Sequence, residues 1–200
     1  MFKALKKKWA LSRLKDDRYR VLFDEAPQDE WVSYDCETTG LNPKTAEIVS
    51  IGAVIIKNNV ILSSKKFYAL AKTTGEVSEA SVKAHHIRNI DLEDARPIKE
   101  VIDEFIDFVG GRKLVGYFLE FDIAMVNKYL NRYGGISLPN YGEDISALYF
   151  DYKIDPLGTK NVDLKFDSIM KELRLPILGQ HNSYQDALMT ALAFVKLKNH

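Results

Sequence analysis

Apolar residues recur along the chain at two spacings, one typical of strands and the other typical of helices. Runs rich in β-branched and aromatic residues predict strands at 31–36, 47–56, 60–70, 113–118 and in a short piece just before Asp144. Turn-forming residues at 57–59 separate the second run from the third. We therefore expect the first three strands to form an antiparallel ribbon.

Helical spacing follows the ribbon. It is clearest over 96–111, where apolar residues recur every three to four positions, Pro97 suits the first turn and Gly110-Gly111 end the helix. Further helices are predicted over 121–133, 144–152, 162–173 and 183–198. This order of elements predicts an α/β fold, with a mixed five-stranded sheet that contains the antiparallel three-stranded ribbon and has helices on both faces.

Composition indicates one globular domain preceded by a basic segment. The 200 residues are 46% hydrophobic and 28% charged, which is enough to close a single core. We predict a basic helical arm over 1–28 and a folded domain over 29–200. Net charge is zero, but the first 20 residues hold eight basic side chains against two acidic ones. This arm is either a solvated helix or a patch that attracts phosphate groups.

Targeting signals and disulfides are not indicated. No apolar run approaches the roughly 20 residues that a membrane-spanning helix needs, and none follows the basic N-terminus as in a secretory signal. The single cysteine, Cys36, cannot form an internal disulfide, which fits a reducing cytoplasm. We therefore expect a cytoplasmic protein with no membrane partner.

The stretch YDCETTG, residues 34–40, places two carboxyl groups at the end of the first strand. Asp35 and Glu37 point to the same side of a strand, roughly 6.5 Å apart at the backbone, while Cys36 points to the opposite side, into the core. Burying two carboxylates that repel each other is unfavourable. A compensating positive charge is therefore expected.

Three later residues are candidates for the same site. Asp122 lies just beyond the fourth strand, at the kind of strand end where ligand crevices form, and His181 and Asp186 lie at the start of the last helix. Four converging carboxylates stay ionised only around hard cations, and oxygen ligands favour Mg²⁺ or Mn²⁺. Two such ions would activate a water against a phosphodiester, with His181 as its general base.

The chain resembles the DEDDh branch of the DnaQ-like 3′–5′ exonucleases in three segments that occur in the order typical of that family. These segments are DCETTG at 35–40, the Phe-Asp pair at 121–122 and HNSYQDA at 181–187. That family includes the epsilon proofreading subunit of DNA polymerase III and ribonuclease T, and the resemblance runs from about Trp31 to Leu192. It implies a ribonuclease H-like fold and a site with two ions, Mg²⁺ or Mn²⁺. Asp35, Glu37 and Asp186 would hold the catalytic ion, Asp35 would also contact the second ion, Asp122 would bind through water, and His181 would deprotonate the attacking water.

The resemblance also implies a pocket for the terminal nucleotide. Thr38, Leu41 and His85 would line this pocket, and Phe121 would pack near it. His85 taken alone has an ordinary interpretation as a surface or boundary residue, just as Asp186 taken alone would be a helix cap.

Three features depart from the family pattern. The family usually has His-Asn where this chain has Tyr117-Phe118, and often an acidic residue where it has Ser50, which predicts altered substrate fit rather than lost chemistry. The chain ends 14 residues after Asp186, whereas the epsilon subunit continues into a tail that engages the polymerase. We therefore expect a stand-alone nuclease, or one that docks through its N-terminal arm.

Four functions fit these residues to different degrees. The first is a metal-dependent exonuclease that hydrolyses single-stranded DNA ends to nucleoside monophosphates, and the second is an exoribonuclease with the same chemistry. A glycoside hydrolase would use Asp35 and Glu37 but would leave Asp122, His181 and Asp186 without a role. A non-catalytic nucleic-acid-binding module would keep the fold and use the basic arm. The sequence leaves association with a polymerase, and formation of a homodimer, open.

Overall fold

The computed structural model describes residues 2–154, 161–179 and 181–199, and the side chains of all of these except 2–6. The strands are β1 (Glu30–Thr38), β2 (Ile48–Lys57), β3 (Val60–Lys72), β4 (Arg96–Pro97), β5 (Lys113–Gly116) and β6 (Gly142–Asp144). The helices are α1 (Phe2–Ser12), α2 (Glu79–His85), α3 (Ile98–Val109), α4 (Leu119–Tyr133), α5 (Ile145–Lys153), α6 (Phe166–Glu172) and α7 (Ser183–Lys198). Short 3-10 helices lie at Asp17–Phe23 and Asn89–Leu92.

These strands form one mixed sheet in the order β4-β3-β2-β1-β5-β6. β1, β2 and β3 are antiparallel, which confirms the predicted ribbon, while β5 and β6 run parallel to β1. The prediction of five strands is wrong, because the sheet has six strands within the described residues, and β4 adds the extra one beside Ala71 and Lys72 at the end of β3. Two residues, one of them a proline, are too few to produce an alternating pattern in the sequence.

Helices cover both faces of the sheet, as predicted. Alternate residues of β1, including Val32, Tyr34 and Cys36, pack on one face together with α3 and α4. α5, α6 and α7 pack on the other face, against side chains such as Val54 and Val115. Cys36 is free and buried, as its position between Asp35 and Glu37 predicted. The two carboxyl groups therefore face the α7 side of the sheet.

Part of the predicted N-terminal arm packs into the core. Tyr19, Leu22 and Phe23 of the 3-10 helix at Asp17–Phe23 are buried against α3. The Tyr19 hydroxyl donates a hydrogen bond of 2.6 Å to Asp103, whose carboxylate also pairs with Lys99. A division at residue 28 stays a prediction, but the stretch 17–23 contributes directly to the hydrophobic core.

Among the described residues, none of the helices combines the length and the apolar character needed to cross a membrane.

Candidate functional site

β1 extends beyond its pairing with β5, and this extension contains Asp35 and Glu37. β1 pairs with β5 only over Trp31–Ser33, whereas it pairs with β2 as far as Thr38. Asp35 and Glu37 therefore lie beside an open edge near the carboxyl ends of the two parallel strands. Ligand crevices in open α/β sheets form at such places.

α7 approaches this edge unusually closely because the facing residues are small. Gly52 lies opposite Asp35 in the β1–β2 register, and a Cβ atom at Gly52 would lie 2.1 Å from the backbone nitrogen of Tyr184. The hydroxyl groups of Ser50 and Ser183 are 2.9 Å apart in the same buried contact. A larger residue at Gly52 or an acid at Ser50 would therefore push against the start of α7, which carries the predicted Asp186.

One carboxylate oxygen each from Asp35, Glu37 and Asp186 lie within 4.8 Å of one another. We call these three residues the carboxylate cluster. Burial raises the pKa of Asp35 well above its ordinary value, and repulsion from Asp122, Glu37 and Asp186 raises it further. Burial raises the pKa of Glu37 to about 7, with a smaller contribution from Asp186. The pKa of Asp186 rises to about 6 through burial, an effect that His181 partly offsets.

The donor set of the carboxylate cluster fits a hard divalent cation. Its ligand atoms are all carboxylate oxygens, and the charges that act on Asp35 are themselves carboxylates. Oxygen ligands without thiolate or imidazole are those that Mg²⁺ and Mn²⁺ prefer. A cation would therefore stabilise the ionised forms that burial disfavours, and would relieve the repulsion that acts on Asp35.

Asp122 reaches the same region from the opposite side of the sheet. It lies in the first turn of α4 and is only 4% exposed. Its carboxylate interacts with the backbone N–H and the thiol of Cys36, and burial raises its pKa well above the ordinary value. Asp122 is the neighbouring charge that acts most strongly on Asp35, although it lies outside the carboxylate cluster.

An open cavity of about 200 Å³ exposes the carboxylate cluster. Its wall consists of Asp35, Cys36, Glu37, Tyr117, Phe166, His181, Asp186 and Thr190. His181 is exposed, precedes α7 and has a φ of 60°, a left-handed conformation that histidine tolerates better than most residues. Four of the five predicted catalytic residues therefore meet at this cavity, and the fifth, Asp122, lies behind it.

The four predicted pocket residues do not line this cavity. Leu41 is 89% exposed, and Phe121 packs partly buried against the core. Thr38 is buried and donates its hydroxyl hydrogen to the carbonyl of Gly40 at 2.7 Å. A role for these residues in binding substrate stays a prediction.

His85 is a buried residue that supports the end of β1. Its Nδ1 accepts the N–H of Ile87 at 3.1 Å, which leaves Nε2 to donate to the carbonyl oxygen of Thr38 at 3.3 Å. Burial lowers the pKa of His85, so the neutral ring is favoured. In this position His85 holds the strand end that carries Glu37.

Sequence reasoning missed two contributors to the site. Gly52 sets the approach of α7, and an isolated glycine within an apolar strand is a usable signal of close backbone contact. Phe166 reaches the cavity from the start of α6, and nothing in its local sequence indicates this. Asp144, at the end of β6, caps α5, since its carboxylate accepts the N–H of Ser146 at 2.8 Å.

Comparison with known proteins places this geometry among nucleases. The RNase_T family model, described as an exonuclease, matches residues 32–194. The chain is 32% identical to DNA polymerase III subunit epsilon of Aquifex aeolicus (strain VF5), covering 84% of this chain and 79% of that protein. It is 30% identical to the PolC-type DNA polymerase III of Thermotoga petrophila, covering 83% of this chain but only 12% of that protein.

Solved structures show the same fold at low sequence identity. E. coli exonuclease I in complex with a dT13 oligonucleotide superposes with a TM-score of 0.73 at 13% identity, covering 86% of this chain and 41% of that chain. Exonuclease X in complex with 5′ overhanging duplex DNA superposes with a TM-score of 0.67 at 18% identity, covering 84% and 91%. At such identities the likeness is one of fold.

Proposed function

Because the chain belongs to the exonuclease family whose model spans residues 32–194, and shares its ribonuclease H-like fold, we propose that it removes nucleotides from the 3′ ends of single-stranded DNA as monophosphates. The observation that carries this proposal is the carboxylate cluster, in which one oxygen from each of the three residues lies within 4.8 Å of the other two, in an open cavity. Family membership by itself identifies a nuclease.

The carboxylate cluster would hold one Mg²⁺ or Mn²⁺ ion, and Asp35 would also contact a second, to which Asp122 would bind through water. When bound, these ions would supply Lewis-acid activation of a water and stabilise charge on the phosphodiester oxygens. The raised pKa values of Glu37 and Asp186 are consistent with this assignment, because they arise mainly from burial of carboxylates that a bound cation would stabilise in the ionised form.

His181 would act as the general base. Its imidazole lies in the cavity wall with the carboxylate cluster, so it can accept the proton of the attacking water. Asp186 interacts electrostatically with His181 and would stabilise the imidazolium that forms. The left-handed backbone at His181 keeps this residue at the cavity rather than within α7.

Degradation of 5′-labelled single-stranded DNA with Mg²⁺ tests the proposal directly. We expect a ladder that shortens from the 3′ end, and a loss of more than about 10³-fold in Asp35→Asn and Asp186→Asn. Asp151→Asn, which changes an exposed carboxyl group on α5, is the matched control and should retain full activity. Full activity in both cluster variants would refute the assignment.

Two further arms of the same assay address the alternatives. A matched RNA strand, which differs at the 2′-hydroxyl, measures the sugar preference and identifies an exoribonuclease if RNA is degraded faster. Activity that persists in EDTA would instead support metal-free chemistry by paired carboxylates.

A further inference from the structure

Three aromatic rings lie in contact beside the carboxylate cluster. The ring centroid of Tyr117 is 4.4 Å from that of Phe118 and 4.8 Å from that of Phe166. We call these three residues the aromatic ridge. Tyr117 and Phe166 form part of the cavity wall, whereas Phe118 continues the ridge beyond it.

Phe118 is held in a conformation that its own packing does not explain. The residue is 60% exposed, and its φ of 52° lies in the left-handed region, where a Cβ atom is sterically unfavourable. The adjoining backbone is fixed, because the N–H of Leu119 donates to Asp144 at 2.8 Å and the carbonyl of Phe118 accepts from Phe121 at 3.0 Å. The fold therefore supports a strained residue whose ring faces solvent, and such strain is typical of functional sites.

Tyr117 differs from Phe118 in having a structural role of its own. Its hydroxyl donates to the carbonyl of Leu164 at 3.0 Å, which ties the end of β5 to the segment before α6. The Tyr117 ring is thus fixed between the rings of Phe118 and Phe166, and it packs against the Phe118 ring. The Phe118 ring is largely exposed and contributes little to the core, so its exposed surface is free to contact a ligand.

We propose that the aromatic ridge is a stacking surface for the unpaired bases of a nucleic-acid strand whose 3′ end lies at the carboxylate cluster. This inference rests on the proposed function, because the cluster determines which end of the ligand enters the cavity. Tyr117 and Phe166 lie nearest the terminal nucleotide, and Phe118 stacks on a base further from the end. Every base has a π face, so such stacking is largely independent of sequence. In a duplex the faces of internal bases are covered by their neighbours, so the ridge selects single strands.

The test compares two oligomers of equal length, a fluorescein-labelled oligo-dT and a labelled abasic strand with the same sugar-phosphate backbone. Binding of each strand is measured by fluorescence anisotropy in the presence of EDTA, which prevents hydrolysis by removing divalent metal ions. We expect Phe118→Ala to weaken binding of oligo-dT by about 5- to 100-fold and to leave binding of the abasic strand unchanged. Phe118→Trp should restore binding, because a larger ring at the same place still stacks.

Tyr141→Ala is the matched control. Tyr141 is 61% exposed and contacts Trp31 at the start of β1, the end of that strand away from Asp35 and Glu37. We expect this variant to bind both strands as the unsubstituted protein does. An equal loss on both strands in Phe118→Ala, no loss on either, or no preference of the unsubstituted protein for oligo-dT over the abasic strand would each overturn the proposal.

A mononucleotide substrate separates this inference from the proposed function. The p-nitrophenyl ester of thymidine 5′-monophosphate has a phosphodiester but no second base. Phe118→Ala should hydrolyse it with kcat/KM within about twofold of the unsubstituted protein, whereas Asp35→Asn should not hydrolyse it. If the unsubstituted protein hydrolysed neither this ester nor DNA, the proposed function would fail, and the comparison of oligo-dT with the abasic strand would still decide the role of the ridge.

Discussion

At the scale of single residues, protons and the proposed metal ions would compete for the carboxylate cluster. The pKa of Glu37 is about 7 and that of Asp186 about 6, so both carboxyl groups release their protons close to neutral pH. Only the ionised groups bind a divalent cation, so metal affinity should increase as pH rises through this range. We therefore expect the cluster to become protonated, and the proposed metal ion to bind weakly, as pH falls below about 6.

Glu37→Gln tests this balance in the metal-free protein. The pKa of Glu37 is raised from 4.5 to about 7 on folding, so its stabilising contribution is present below about pH 4.5 and is lost as pH rises to 7. Relative to Glu37→Gln, we expect the unsubstituted protein to lose on the order of 3 kcal/mol of unfolding free energy between pH 4.5 and pH 7.5. Urea unfolding in EDTA at the two pH values measures this difference, and a constant difference would contradict the assigned pKa shift.

His181→Asn tests the general base while preserving a residue that tolerates the left-handed backbone. We expect kcat for DNA hydrolysis to fall by about 10²- to 10⁴-fold and the Mn²⁺ dissociation constant to stay nearly unchanged. His86→Asn changes another exposed histidine with the same backbone conformation and serves as the control. A parallel loss of Mn²⁺ affinity, measured by calorimetry, would show that His181 supports the metal site instead.

At the scale of elements, the site depends on how closely α7 approaches β1 and β2. The Ser33 hydroxyl donates to the carbonyl of Ala187 at 2.7 Å, and the contact at Gly52 leaves no room for a side chain. Small residues on the sheet and on the helix therefore determine where Asp186 lies. Apolar residues recur along α7 at Leu188, Ala191, Leu192 and Val195, a spacing that predicts a buried stripe. Of these four residues only Ala191 is fully buried, as is Ala187 beside it in the contact with β1 and β2.

Gly52→Ala should displace the start of α7 and so separate Asp186 from Asp35. We expect a loss of about 1–3 kcal/mol in unfolding free energy, since the new methyl group has no space, and a clear loss of kcat. Gly75→Ala is the control, because the nearest heavy atom to its added Cβ would be 3.6 Å away and the cost should stay below about 0.5 kcal/mol. If Gly52→Ala kept full activity and stability, the close approach would not be what positions Asp186.

At the scale of the whole molecule, the N-terminal segment and the sheet share one core. Tyr19 is fully buried, and Leu22 and Phe23 pack in the same cluster as β1, α3 and α4. An apolar side chain of this size contributes about 1.5–3 kcal/mol when buried. The basic character of residues 1–20 is thus combined with a structural role that net charge does not reveal.

Removal of residues 1–28 should therefore destabilise the protein strongly. We expect the midpoint of thermal unfolding to fall by more than about 10 °C, because several buried side chains are lost together. Removal of residues 1–8 is the matched comparison and should lower it by only a few degrees, since Lys7 and Lys8 are exposed. Equal midpoints for the two truncations would show that 1–28 is a separate arm, as its composition suggested.

The sequence by itself determined the local features of the protein, namely the faces of β1, the end of α3 and the order of the strands. Two-residue alternation placed Asp35 and Glu37 on one face and Cys36 on the other, glycines ended α3, and the order of runs indicated the antiparallel ribbon. These features depend on neighbours within a few positions, and such neighbours impose the periods of strands and helices. The motif spacing also identified the family, because the five candidate catalytic residues occur in a characteristic order.

Only the tertiary structure decided how these elements meet. It placed Asp122 behind the carboxylate cluster, brought Phe166 beside Tyr117, held His85 under the end of β1 and added β4 to the sheet. Each of these contacts joins residues that are distant in the chain, as does the close approach of α7 to β2 at Gly52. Local periodicity contains no information on such approaches, because they depend on the shapes of two surfaces at once.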